Sequence, residues 1–249
     1  MMFLTLSRSM LNPIRSSSTI SILMQQRKYT KNKPPSDLPV ASYLSLAEAT
    51  PADFTTQDET FAHVAKTQAD RVLSLLRNET DGTFLHCLDL LEHSLQSATR
   101  AHRDGADEEL IVVALLHDIG EVLSPGNHGE VAAGLLRPYV SEQNHWLLLH
   151  HEIYQAHYYV DAMNKRPNMK PIDPDLRDRF SDHVHHQHTI DFCELYDQTS
   201  FDPNYDTLPL EFFEPMVRNI FARTPWKHCG EQLSEPAQSK KELASAYPM

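Results

Sequence analysis

The feature that most constrains the fold is an apolar run, residues 110–116, which ends directly in His117 and Asp118. Three acidic residues at 107–109 precede the run, and acidic residues are favoured in the first turn of a helix by the helix dipole. A helix that is apolar on every side has to be buried on every side. The run therefore predicts the central helix of a helical domain, with His117 and Asp118 at its end.

Most of the remaining chain also has apolar residues at helical spacing. Hydrophobic residues make up 41% of the sequence, which is enough for a packed core, and the chain has only 7 Gly residues. Further helices are predicted at residues 57–77, 83–104, from 128, 142–163, 175–198 and 209–223. The sequence thus predicts an all-α fold, a single helical bundle over residues 59–225.

The two ends of the chain differ in composition from this predicted domain. Residues 1–36 contain six Arg or Lys residues, many Ser and Thr residues, and no Asp or Glu. This composition is typical of an organelle transit peptide, and we predict one at residues 1–29, which directs the protein to the mitochondrial matrix. A disordered tail without a sorting role is the alternative. Residues 30–58 are predicted to form a proline-containing linker, and residues 226–249 a flexible tail.

Composition also excludes several classes of function. The formal net charge of −12 argues against nucleic-acid binding as the main activity. No apolar stretch reaches the roughly 20 residues that a membrane-spanning helix needs. The 3 cysteines form no CxxC pair, so a thiolate zinc site is not predicted. Nothing in the sequence indicates the oligomeric state.

Histidine is unusually frequent, with 15 residues, and several lie in predicted helices. A buried Asp118 needs a cation or strong hydrogen bonds, because an unpaired buried charge is costly. Five predicted helices each offer a metal-ligand type, and the candidate ligands are His93, His117, Asp118, His128, His151 and Asp197. Each also has a structural interpretation: His93, for example, lies off the leucine stripe of its helix, and periodicity alone favours a solvated face.

The spacing of His93, His117-Asp118 and Asp197 resembles the H…HD…D signature of the HD superfamily of helical metalloenzymes. The resemblance covers residues 84–223. Asn127-His128-Gly129-Glu130 and the segment from His151 to His157 are similar to two strings of the myo-inositol oxygenases. Residues 91–96 resemble the segment around the first His of the phosphonate-oxidising HD oxygenases.

This resemblance implies two metal ions bridged by Asp118, with iron as the expected metal and Mn, Mg or Zn as alternatives. His93, His117 and Asp197 would hold one ion, and His128 and His151 would hold the other. The same resemblance selects His151 rather than its neighbour His150. It also makes Asp118 and His117 the predicted catalytic residues.

Three further positions are candidate substrate contacts. Glu121 occupies the position of a substrate-binding Lys in the inositol oxygenases, and His86 that of a substrate-binding Glu in the aminophosphonate oxygenases. These two departures leave the substrate open. His157 matches the last His of the inositol oxygenase string. Each of the three also has an ordinary interpretation, as a solvated acid, a surface His or a packed His.

The ligand types do not by themselves choose the reaction. Histidine and carboxylate ligands with open positions suit iron and O2 chemistry, and paired metals also suit phosphoester hydrolysis. Because residues 117–128 contain no Lys or Arg, the sequence favours a diiron oxygenase that uses O2 on a small polar substrate. A metal-dependent phosphohydrolase is the alternative, and a metal-stabilised binding domain without activity is the third hypothesis.

Overall fold

The computed structural model describes residues 43–78, 87–168 and 170–223. All regular secondary structure in these residues is helical, which confirms the predicted all-α fold. The chain divides into two compact units, residues 1–62 and 63–249, and every described candidate ligand lies in the second. In the described part of the chain, no helix has the length and apolar character needed to cross a membrane.

The α-helices in the described residues are α1 Pro51–Lys66, α2 Gln68–Arg77, α3 Leu90–Arg103, α4 Glu108–Leu116, α5 His128–Leu136, α6 Glu142–Asn164, α7 His186–Phe192 and α8 Leu210–Phe221. Short 3-10 helices occur at Leu46–Glu48, Pro125–Asn127 and Leu176–Phe180. A π-helical turn, Cys193–Asp197, follows α7 directly.

The first long helix begins earlier than predicted, inside the segment expected to be linker. Pro51 is its first residue, a position where proline is favoured because no hydrogen bond is lost. The Asp53 side chain accepts hydrogen bonds from the Thr50 N–H at 2.9 Å and hydroxyl at 2.7 Å. The predicted single helix 57–77 is therefore wrong at its start, and it is also interrupted at Thr67.

Two other predicted helices have different boundaries. Helix α3 begins at Leu90, with the Asp89 side chain accepting from the Glu92 N–H at 2.8 Å, so the predicted start at residue 83 is wrong. Residues 79–86 lie outside the described residues. The predicted helix 175–198 consists instead of a 3-10 helix, a turn, α7 and the π-helical turn.

Helix α4 is the centre of the second unit, as its apolar run predicts. Its residues from Ile111 to Leu116 are at most 4% exposed. They pack against α3, α6 and α8. Burying a side chain of this size contributes about 1.5–3 kcal/mol, so the run fixes α4 in the core. The buried end of α4 then brings His117 and Asp118 inside the helical bundle.

Candidate metal centre

Helix α3 directs His93 into the bundle, where the side chain is completely buried. The solvated face suggested by periodicity is therefore wrong for this residue. The His93 Nδ1 donates to the Ser200 carbonyl at 2.9 Å, and the ring stacks on Phe201 at 4.5 Å between centroids. Both partners belong to the segment that follows the π-helical turn, so contacts across the bundle determine the orientation of His93.

The π-helical turn positions Asp197. The Gln198 N–H donates to the Cys193 carbonyl at 3.0 Å, a bond to the fifth preceding residue. Such turns insert an extra residue into a helix and are frequent at functional sites. Because the extra residue rotates the following side chains, the turn sets the direction of Asp197, whose side chain is fully buried.

Four groups form the inner cluster: His93, His117, Asp197 and one oxygen of Asp118. The His93 and His117 Nε2 atoms lie 3.2 Å apart. The Asp118 Oδ2 lies 3.4 Å from the His93 Nε2 and 3.3 Å from the His117 Nε2. The Asp197 Oδ1 lies 3.5 Å and 3.6 Å from the same two nitrogen atoms.

The other oxygen of Asp118 joins an outer cluster with His128 and His151. The Asp118 Oδ1 lies 3.1 Å from the His128 Nε2 and 3.2 Å from the His151 Nε2. The two Nε2 atoms are themselves 3.2 Å apart. Asp118 therefore faces one cluster with each carboxylate oxygen, which is the arrangement of a bridging ligand.

The hydrogen bonds behind the four rings determine which nitrogen atoms face the clusters. The Nδ1 atoms of His117 and His151 each lie 2.8 Å from a backbone carbonyl, that of Ala114 and that of Leu148. A carbonyl can only accept, so a neutral ring carries its proton on Nδ1 and presents a lone pair from Nε2. His93 is held in the same way, and acceptors also surround the His128 Nδ1. When the four rings are neutral, their Nε2 lone pairs and the carboxylate oxygens of Asp118 and Asp197 face one another. None of these groups can then donate a hydrogen bond to another.

Metal ions fit this arrangement. Ligand atoms about 2.1 Å from one tetrahedral ion are about 3.4 Å apart, close to the separations within the inner cluster. The Asp197 Oδ2 is buried without a hydrogen-bond partner among the described residues, which is costly unless a cation is close. Histidines with the other nitrogen hydrogen-bonded to protein are the usual metal-ligand arrangement. The residues present therefore fit a metal in each cluster.

The electrostatics of the site favour positive charge. Burial lowers the pKa of His93, but hydrogen bonds to Asp118 and Asp197 outweigh burial and raise the pKa to about 9. Burial also lowers the pKa of His128, but the hydrogen bond to Asp118 and the charge of Asp118 outweigh burial and raise this pKa to about 9. Burial raises the pKa of Asp118, but His117 lowers it well below the usual range. The same carboxylates that attract protons would bind a metal cation in their place.

Two residues that the sequence did not single out as site residues contact the ligands: Glu152 and Gln155. The Glu152 Oε1 accepts from the Gly129 N–H at 2.9 Å and lies 3.6 Å from the His128 Nδ1. The Gln155 Nε2 donates to the Asp197 Oδ1 at 2.7 Å. Gln155 lies one helical turn after His151, and that spacing was the available sequence signal.

A cavity of about 790 Å³ opens beside the outer cluster. Asp118 and His128 form part of its wall, whereas His93 and His117 are fully buried behind them. The volume is in the range of small-molecule sites. Arg166 also belongs to the wall. The outer cluster is therefore accessible to a ligand in the cavity, and the inner cluster is enclosed.

The candidate substrate contacts have different positions. Glu121 lies in the cavity wall, and its Oε1 is 2.9 Å from the His128 Nδ1, so it holds a ligand ring as well. Burial, with Asp118 and Glu152 nearby, raises the pKa of Glu121. His157 is exposed and contacts Tyr158, and the structure does not place it in the cavity wall. His86 lies outside the described residues.

Neighbouring histidines that were not selected as ligands point elsewhere. The His150 Nδ1 donates to the Trp146 carbonyl at 2.9 Å, and its ring stacks on Trp146. His183 stacks on Trp146 at 3.4 Å between centroids. Within the run 183–188, the His186 Nδ1 lies 2.9 Å from the Tyr154 hydroxyl. These histidines pack in the fold and do not contact the two clusters.

Comparison with known protein families finds one match in the middle of this unit. Residues 90–180 match the HD domain. This match supports the HD superfamily, whose members are generally metal-dependent hydrolases or related enzymes. The HD domain match contains His93, His117-Asp118, His128 and His151, and Asp197 lies beyond it. No curated protein matches the chain.

Two glycines within the matched residues 90–180 offer a matched test of the outer cluster. A Cβ at Gly120 would lie 2.3 Å from the His128 carbonyl oxygen, whereas a Cβ at Gly134 would meet nothing within 4 Å. We expect Gly120→Ala to shift the His128 backbone, weaken metal binding and destabilise the fold by roughly 1–3 kcal/mol. Gly134→Ala, on an exposed helix position, should stabilise it by roughly 0.5–1 kcal/mol.

Denaturant unfolding and metal titration of the two variants check this expectation. Equal metal affinity in Gly120→Ala and the wild-type protein would show that the close approach of residues 120 and 128 does not position His128.

Proposed function

We propose that the protein is a non-haem diiron oxygenase that uses O2 to oxidise or cleave an organic substrate. The observation that carries this proposal is the shared carboxylate of Asp118, which faces two histidine pairs 3.1–3.4 Å away. A set of four imidazoles and two carboxylates suits iron, and disfavours Mg²⁺, which prefers oxygen ligands. When bound, an iron pair supplies redox chemistry with O2.

The two clusters differ in the number of protein ligands and in their access to the cavity. The inner cluster has four donor atoms and is enclosed, so it serves as the more closed site. The outer cluster has three donor atoms from the protein and borders the cavity, which leaves room for a substrate oxygen or O2. Glu121 holds the His128 ring from behind, and Gln155 holds the Asp197 carboxylate. Such partners commonly change metal affinity or activity by 10–100-fold.

A metal-dependent phosphohydrolase is the second candidate. Arg166 in the cavity wall favours it, because a guanidinium group in the cavity can pair with a phosphate group of a substrate. A pair of metals bridged by a carboxylate is also used in phosphoester hydrolysis. The two candidates require different metal chemistry, so they can be separated without knowing the substrate. The mitochondrial matrix remains the proposed location, on the composition of residues 1–29.

Metal content and spin state test the oxygenase directly. We would purify the full chain without added metal, measure its metals, and record low-temperature electron paramagnetic resonance after partial reduction. Two irons per chain with a mixed-valent signal, followed by substrate-dependent O2 uptake, are expected. A redox-silent metal pair together with phosphate release from nucleotides or phosphomonoesters would contradict the oxygenase and favour the hydrolase.

A further inference from the structure

The cavity follows one face of α6 away from the outer cluster. The α6 residues in its wall recur at helical spacing, so they form one continuous stripe. They are Glu152, Gln155, Tyr158, Tyr159, Ala162 and Met163, and Arg166 follows just after the helix. With a rise of 1.5 Å per residue, the stripe from Glu152 to Met163 is roughly 16 Å long. The cavity is therefore elongated.

The chemistry of the stripe changes along its length. Beside the metal ligands, Glu152 and Gln155 present a carboxylate and an amide. The middle is formed by Tyr159, Ala162 and Met163, which present aromatic and aliphatic surface. The far end carries the guanidinium group of Arg166. A ligand that fills this groove needs a polar end, an apolar middle and an end that suits a cation.

Arg166 is free to bind an anion. Its side chain is exposed, donates to the Met163 Sδ at 3.5 Å, and forms no ion pair with any residue in the described ranges. By contrast, Arg179 is paired with Asp173. Lys165 precedes Arg166, so two positive charges lie together on a chain with a formal net charge of −12. A guanidinium matches the geometry of a carboxylate or phosphate group.

We propose that the substrate is an elongated anionic molecule, which binds the metal centre by its reactive end and Arg166 by a carboxylate or phosphate group. Its apolar middle lies along Tyr159, Ala162 and Met163. This substrate class rests on the proposed function, because it assigns the reactive end to the outer cluster. It replaces the small polar substrate expected from sequence, since such a molecule would fill only the part of the groove near Glu152 and Gln155.

Hydroxamates of different length provide the test, because the hydroxamate group chelates metals. The probes are acetohydroxamate and hydroxamates with a ten-methylene chain that ends in a carboxylate, a phosphate or a methyl ester. At about 1.3 Å per methylene, this chain spans most of the stripe. Binding is measured by calorimetry on the metal-loaded full chain, at low and high salt.

We expect the long anionic probes to bind about five- to tenfold more tightly than the methyl ester, with the advantage reduced by salt. The variant Arg166→Gln should lose this advantage, Arg166→Lys should retain part of it, and the matched control Lys165→Gln should retain most of it. The ratio between the carboxylate and phosphate probes identifies the preferred anion.

Two results would overturn the substrate class. Equal binding of the anionic probes and the ester, or an equal loss in Lys165→Gln and Arg166→Gln, would contradict it while the metal centre stands. Failure of acetohydroxamate to bind the metal-loaded protein would remove the open metal position on which both this inference and the proposed function depend.

Discussion

Asp118→Asn is expected to reduce the metal content of the protein to less than one ion per chain. It should also reduce turnover by on the order of 10³-fold or more. The amide keeps the shape of the side chain but offers one oxygen and no charge, so it cannot face both clusters as a ligand. Asp118 lies within 3.4 Å of the Nε2 atoms of all four ligand histidines. Mutation of residues that only hydrogen-bond to metal ligands typically lowers metal affinity or activity by about 10–100-fold. Loss of the shared ligand itself should therefore have a larger effect.

Asp107→Asn is the matched control, because it makes the same change at the other end of α4. Asp107 accepts from the Leu110 N–H at 2.8 Å, and Asn caps a helix about as well as Asp. Elemental analysis and O2 uptake of both variants, with circular dichroism to confirm folding, measure the effect. Two tightly bound metals in folded Asp118→Asn would contradict the bridging role of Asp118.

Removal of the metals is expected to lower the melting temperature by about 8–16 °C. A ligand present at 1,000 times its dissociation constant stabilises the fold by about 4 kcal/mol. For a chain of this size, each kcal/mol shifts the melting temperature by roughly 2–4 °C. The physical reason is that Asp118 and Asp197 are buried together, and without a metal only protonated histidines can neutralise them.

Thermal unfolding with and without a chelator measures this shift. The chelator should have little effect on Asp118→Asn, which serves as the control for chelator binding elsewhere. His150→Ala should respond to the chelator like the wild-type protein, since His150 packs on Trp146 and contacts neither cluster. An unchanged melting temperature in a protein that has demonstrably lost two metals would show that the centre does not stabilise the fold.

Sequence alone determined the fold class and the central helix, because both depend on local apolar periodicity. A run of seven apolar residues can only be buried, and His117 and Asp118 follow it directly. Local periodicity did not determine the individual ligands, since a His in a helix can face the solvent or the core. Periodicity placed His93 on a solvated face, and only resemblance to a family directed it to the site.

The start of α1 also has a local signal in the sequence. The segment Thr50-Pro51-Ala52-Asp53 has the order of a helix start, with a capping residue, proline and an acid, and α1 begins there. The π-helical turn at Cys193–Asp197 had no such signal. It depends on the contacts that α3 and α6 make with this segment, and those contacts join residues far apart in sequence.

The sequence by itself thus determined a helical domain with the residue types of a metal centre. Only the tertiary structure decided that Asp118 lies between two histidine pairs, that Gln155 holds Asp197, and that the cavity follows α6 to Arg166. The physical reason is that hydrophobic periodicity reports whether a side chain is buried. It does not report which distant side chains meet inside the fold, because packing between helices sets those distances.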